Sequence, residues 1–192
     1  MSEFDSKAFS DKVAAMFDDQ LIALLSINSS HYIDDALQIA RSEAERRGIT
    51  SDIQQLDFDV FLNSAGFAGR LILLEEQLMF LSTGIRAGTS MGGGIIGSIA
   101  GEAHEAKRRS AAAQMDFSAL DNEGSWIYFL DQIVECRVGT KLLSGPELQF
   151  VINEEDGSVL NGVVNCGDLS KSETEGLASN ILQARDRFTS AS

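Results

Sequence analysis

The sequence predicts an α+β fold: an N-terminal α-hairpin, then an antiparallel barrel or strongly bent sheet capped by a C-terminal helix. Three observations predict it. Apolar residues recur at spacings of three and four over residues 11–48, the period falls to two from Gln55 to Asn165, and helical spacing returns over residues 172–189. With 192 residues and 44% hydrophobic content, the chain has enough apolar material for a core of ordinary size. The organisation expected is a helical hairpin over residues 1–50 and a sheet domain over 55–190, interrupted by a glycine-rich helical insertion at 84–125.

In the first helix Val13, Phe17, Leu21, Leu24 and Leu25 share a face, and in the second Tyr32, Ala36, Ile39, Ala40 and Ala44 do so. Asn28, Ser29 and Ser30 supply turn and capping chemistry between them. Arg46 and Arg47 at the negative end of the second helix and Gly48 beyond it mark its stop. The first strand, "LDFDVFLN", sets Leu56, Phe58, Val60 and Leu62 on one face and Asp57, Asp59 and Phe61 on the other. A hairpin follows, Arg70 to Leu74 and Leu78 to Ser82, joined across Glu75, Glu76 and Gln77. Beyond the insertion, strands are expected at Trp126 to Leu130, Gln132 to Val138, Glu147 to Asn153 and Val159 to Asn165, the last two joined by a turn at Asp156 and Gly157. The closing helix, Ser172 to Thr189, opens on the cap "SETE" and carries Leu177, Ile181, Leu182, Ala184 and Phe188 on its apolar side. Leu71, Leu73, Phe80, Trp126, Ile133, Phe150 and Leu177 are the expected core.

The stretches "GRLILLEEQLMFL", "FLDQIVECRVG" and "ELQFVINEEDGSVLNGVV" together resemble the hairpins of GRAM and bacterial pleckstrin-homology-like (PH-like) domains. The resemblance spans Leu56 to Phe188 without the insertion. It implies a PH-like barrel whose open end is plugged by the C-terminal helix. No basic cluster stands in the hairpin loop, so phosphoinositide binding is not carried over with the fold.

Composition excludes several functions. A formal charge of -14 repels nucleic acid and anionic lipid unless basic residues are segregated. The N-terminal "MSEFDSKAFSDK" has neither the apolar run of a signal peptide nor that of an anchor. Cys136 and Cys166 stand without a CxxC or Cys/His grouping, which suits reduced thiols and a cytoplasmic location, with the inner face of a membrane as the variant. His31 and His104 have no partner at ligand spacing, and "NEEDG" lacks the alternating ligands of a calcium loop. No cofactor, metal or nucleic acid is expected.

The most unusual stretch is "SMGGGIIGSIAGEAHEAKRR", Ser90 to Arg109, with five glycines in its first twelve residues. Gly92, Gly94 and Gly97 form a GxGxxG, but that fingerprint belongs to a parallel βαβ unit and the flanking strands read as antiparallel hairpins. Gly88 to Gly92 reads as GxSxG around Ser90; a serine hydrolase would need a downstream histidine, and His104 on the same helix is held roughly 20 Å away. What remains is geometry. Gly93, Gly97 and Gly101, four apart, make a helix face without side chains, flanked by Ile95, Ile96 and Ile99. Each interior glycine costs a helix roughly 1 kcal/mol against alanine, so such a face implies close packing against something.

Three readings of that partner stand. The rest of the same domain covers the face, or the segment is a glycine-rich loop. Two copies pack face to face, with Lys107, Arg108 and Arg109 meeting an acidic surface of the neighbour. Or Met91 to Gly101, too short against the roughly 20 residues needed to cross a bilayer, dips into one leaflet with the basic triplet at the headgroups. The function expected is non-catalytic binding or scaffolding, with self-association first and peripheral membrane attachment second. A fluorophosphonate probe is accordingly expected to leave the protein unlabelled; labelling that disappears in Ser90→Ala would establish the hydrolase instead.

Overall fold

The computed structural model describes residues 4–86, 110–112, 115–141, 145–154 and 156–191. Helices α1 (Ser6–Ala14), α2 (Asp18–Leu25) and α3 (Asp34–Arg47) precede strands β1 (Leu56–Ser64), β2 (Phe67–Leu74) and β3 (Gln77–Arg86). Strands β4 (Trp126–Phe129), β5 (Ile133–Lys141), β6 (Gly145–Asn153) and β7 (Val159–Asn165) follow, and helix α4 (Lys171–Ala191) closes the chain.

The first predicted helix is two helices. Phe17 is extended, with φ -70° and ψ 160°, and its N–H is taken by Gln20 Oε1. Its ring is 75% exposed, not part of the apolar face. The helical period runs through the break because Val13 and Leu21, Leu24 and Leu25 on either side of it pack into one cluster with Leu37, Ala40 and Ala44 of α3. Arg47 holds the corner. Its guanidinium donates to the carbonyls of Val13, Ala14 and Met16 around the end of α1, and to Asp18 Oδ1 at 2.8 Å. Helix α3 ends as its sequence requires, with Gly48 left-handed at φ 74°.

The seven strands form one antiparallel sheet in the order β4-β3-β2-β1-β7-β6-β5. The sheet is open, with β4 and β5 at its edges, yet these two strands are joined by only Leu130–Gln132. It is therefore strongly curled. Laid flat, β4 and β6 would stand about 24 Å apart at ordinary strand spacing, whereas the rings of Trp126 and Phe150 lie 6.2 Å apart. Inside the curl Leu62, Leu71, Leu73, Leu78, Phe80, Ile133, Leu148 and Phe150 make the main core, with Trp126 and Leu177 partly buried against it. Helix α4 contributes Ala178, Ile181 and Ala184 to this core. Its cap is the reciprocal pair Ser170 and Glu173, two residues before the expected "SETE" box: Ser170 Oγ accepts from Glu173 N–H, and Glu173 Oε2 from Ser170 N–H.

Strand β2 is buried along its whole length because the outer face of β2 and β3 is covered as well. Ile72, Leu74, Met79 and Leu81 pack there against Ala23 and Ile27 and against Ala112, Met115 and Ala119. Leu56 joins this outer cluster instead of sharing a face with Phe58, Val60 and Leu62, because a bulge between Leu56 and Phe58 shifts the alternation by one residue. The β1–β2 turn is Ala65–Gly66, both at positive φ (49° and 84°), the backbone of a tight hairpin turn that alternation alone does not announce.

Hydrogen bonds from Arg46 and then Arg47 hold the Glu43 carboxyl down, from its ordinary 4.5 to about 2. A carboxylate lowered in this way stabilises the fold fully above pH 4.5 and loses that contribution as pH falls toward about 2. Amide exchange in α1 and α3 is expected to quicken across that window. Glu43→Gln should exchange faster already at neutral pH and lose that part of the acid response.

Candidate functional site

Between β3 and β4 the chain makes the excursion that carries the glycine-rich segment. The described residues on either side of it form a stem. Arg86 at the end of β3 pairs with Glu123 at 3.1 Å, and its guanidinium lies 4.9 Å from the centre of the Phe67 ring. Asn122 Nδ2 donates to the Ser82 carbonyl at 2.8 Å, and Ser82 N–H donates to Ser125 Oγ at 2.8 Å. Ser125 Oγ donates in turn to the Ala119 carbonyl. The outgoing and returning chains are thus tied together at the sheet.

Deeper in, the returning chain is held by Arg70. This side chain is 3% exposed on the outer face of β2, and three separate segments packed there supply its acceptors. Its Nε and Nη2 form a fork on Asp59 of β1, at 3.0 and 2.5 Å. Nη2 also donates to the Ile27 carbonyl, and Nη1 to Asn28 Oδ1 at 2.8 Å and to the Ala112 carbonyl at 3.5 Å. Asn28 completes the cluster by donating from Nδ2 to the Met115 carbonyl at 3.1 Å. One planar cation with five donors therefore joins the sheet, the end of α2 and the return of the insertion. Asn28, expected as a turn or capping residue, serves this junction.

Gly93, Gly97, Gly101, Ile95, Ile96, Ile99, Lys107, Arg108 and Arg109 lie outside the described residues, as do Ser90 and His104. His31 is exposed in the short turn Ser29–His31. Among the described residues no group of three or more His, Cys, Asp or Glu side chains could hold a metal, and no helix is long and apolar enough to cross a membrane. Cys136 and Cys166 are unpaired and buried, and burial pushes the Cys136 thiol up to about 12 and raises that of Cys166, which leaves both protonated at neutral pH. A cleft of about 380 Å³ between the β2–β3 turn and the end of α4 is lined by Asp57, Glu75, Glu76, Arg187 and Phe188, and Arg187 spans it to pair with Asp57 at 2.8 Å.

The Arg70 junction and the stem are absent from the expectations drawn from sequence. A trace of them was present: Arg70 is the one charge in the otherwise apolar "GRLILL", and β1 places Asp59 diagonally across from it, beside the directly opposed Phe61. A search of protein-family models, of curated proteins and of solved structures finds no match to this chain.

Arg70→Ala is expected to cost about 3–5 kcal/mol in denaturant unfolding, because Asp59 and the Ile27 carbonyl keep their burial and lose their donor. Arg70→Met combined with Asp59→Leu, which removes both charges and keeps the volume, should recover much of that loss. If the double variant is as unstable as Arg70→Ala, the cost lies in packing and not in the unpaired charge.

Proposed function

We propose that this protein is a non-catalytic binding module, a PH-like domain that associates with further copies of itself through its glycine-rich insertion. The observation that carries the reading is the stem: the excursion leaves and returns through residues tied to each other by Arg86 and Glu123 and to the sheet by Asn122, Ser125 and Arg70. A segment anchored at both ends loses less freedom on binding than a free tail. Gly93, Gly97 and Gly101 supply the close-packing spacing. The PH-like assignment is supported by an antiparallel sheet of seven strands, curled until its two edges are three residues apart, with α4 packed against its inner core.

The basic triplet Lys107 to Arg109, in a chain of net charge -14, favours a second reading, attachment to the inner face of a membrane. One experiment separates the two: light-scattering mass and liposome co-sedimentation for the intact protein and for a variant lacking residues 92–109. Self-association predicts an oligomer that the deletion reduces and no pelleting with either vesicle. Pelleting on anionic vesicles that salt weakens and the deletion abolishes establishes the membrane reading. If the deletion changes neither mass nor pelleting, both readings fail.

A further inference from the structure

Strand β7 sits inside the sheet order, yet β1 pairs with it only at Asn63–Asn165 and Ser64–Val164. Beyond that point β1 has turned back through Ala65–Gly66, and Val159 to Val163 have a strand on one side only. The hydrogen-bond parity of the β6–β7 hairpin says which backbone groups this leaves open. Glu154 N–H donates to the Ser158 carbonyl at one end and Cys166 N–H to the Pro146 carbonyl at the other. With the register Phe150↔Gly162 and Ile152↔Leu160, the even-numbered residues of β7 are the ones bonded to β6. Val159, Asn161 and Val163 aim N–H and C=O away from β6. The Val163 carbonyl accepts from Ser64 Oγ, which follows that parity. No described residue takes the groups of Val159 and Asn161.

The side chains along this edge are apolar and outside the core: Val159 is 58% exposed, Leu160 39% and Val163 41%. Leu160 is on the inward face of β7, opposite the buried Ile152, and still reaches solvent. Natural sheets protect open edges with charge, proline or a covering element, and Val159 to Asn165 contains none of the first two. The outermost strands β5 and β4 have backbone groups near Leu130–Gln132 taken by side chains. Arg185 Nη1 donates to the Val134 and Ile133 carbonyls of β5, and Gln132 Oε1 takes the Phe129 N–H of β4.

We infer that the edge of β7 is a self-association surface, where a second copy of this chain adds its own β7 antiparallel across a two-fold axis at Leu160. The register is self-complementary. Val159 and Asn161 of one copy exchange N–H···O bonds with Asn161 and Val159 of the other, which satisfies the four open groups of each strand and leaves the Ser64–Val163 bond intact. Leu160 faces Leu160 in the intervening unbonded pair, where Cα atoms approach to about 4.5 Å and side chains are closest. Val159 to Asn165 carry no charge, so in a chain of net charge -14 this strand sets no like charges of its own against those of a second copy. None of the residues in this contact belongs to the glycine-rich segment, and it stands or falls apart from that reading.

An unbonded antiparallel pair has the spacing a disulfide needs, which gives the test. Leu160→Cys, mildly oxidised, is expected to cross-link into a dimer, whereas Val134→Cys, exposed on another edge, is not; the native Cys136 and Cys166 are buried. Sedimentation of the uncrosslinked protein should show self-association that Leu160→Lys weakens while its circular dichroism is unchanged and that survives deletion of residues 92–109. The inference is overturned if the intact protein is a monomer, if Leu160→Cys fails to cross-link, if both cysteine variants cross-link alike, or if a folded Leu160→Lys keeps the full mass. Should Leu160→Lys not fold, cross-linking of Leu160→Cys against Val134→Cys decides.

Discussion

The constraint on which this structure turns is a single buried guanidinium. Arg70 lies in a strand covered on both faces, where an unpaired charge would cost several kcal/mol. It is accommodated because Asp59 of β1, the segment after α2 at Ile27 and Asn28, and the returning chain at Ala112 supply its acceptors. The pair adds little net energy over a well-packed apolar substitute. What it adds is registration: the helical region, the strands and the returning chain of the insertion meet correctly only when all its donors are used.

The second determinant is curvature. A sheet of seven strands with three residues between its two edges has to close on itself, and the aromatic side chains decide how far. Trp126 stacks at 6.0 Å on Phe80 and approaches Phe150 edge-on, and its Nε1–H reaches Ser64 Oγ at 3.3 Å. It bridges the halves of the sheet where backbone pairing stops. Helix α4 fills the remaining inner surface with Ala178, Ile181 and Ala184 and uses Arg185 to cover carbonyls at the start of β5. The strands β1 and β7 overlap only at Asn63–Asn165 and Ser64–Val164, which leaves Val159 to Val163 with a strand on one side only.

For function, the arrangement separates a stiff body from an excursion mounted on it. The stem residues are bound to β3, whose first half is buried, and Arg70 ties the returning chain at Ala112 to the fully buried β2. Such a mount suits a surface that must meet a partner in one orientation. Among the described residues the buried thiols are held protonated, and the cleft beside Asp57 is crossed by its own ion pair with Arg187.

Sequence by itself determined the elements whose signals are local. The period-two runs set strands such as Val159 to Asn165 and the β2–β3 hairpin, Gly48 set the end of α3, and the apolar period set Phe80, Phe150 and Ile133 in the core. Where one residue shifts a phase, local reading failed: the bulge after Leu56 and the corner at Phe17 both preserve the apolar spacing on either side, so periodicity passes over them. Tertiary structure alone decided the strand order, the curl and the junction. Arg70 and Asn28 are 42 positions apart, and nothing in either one's neighbourhood names the other. A hydrogen bond between distant segments depends on where packing carries the chain, which single-sequence patterns do not encode. The open edge of β7 was hidden for the same reason: its residues read as an ordinary strand, and only the path of β1 shows that Val159 to Val163 have a strand on one side only.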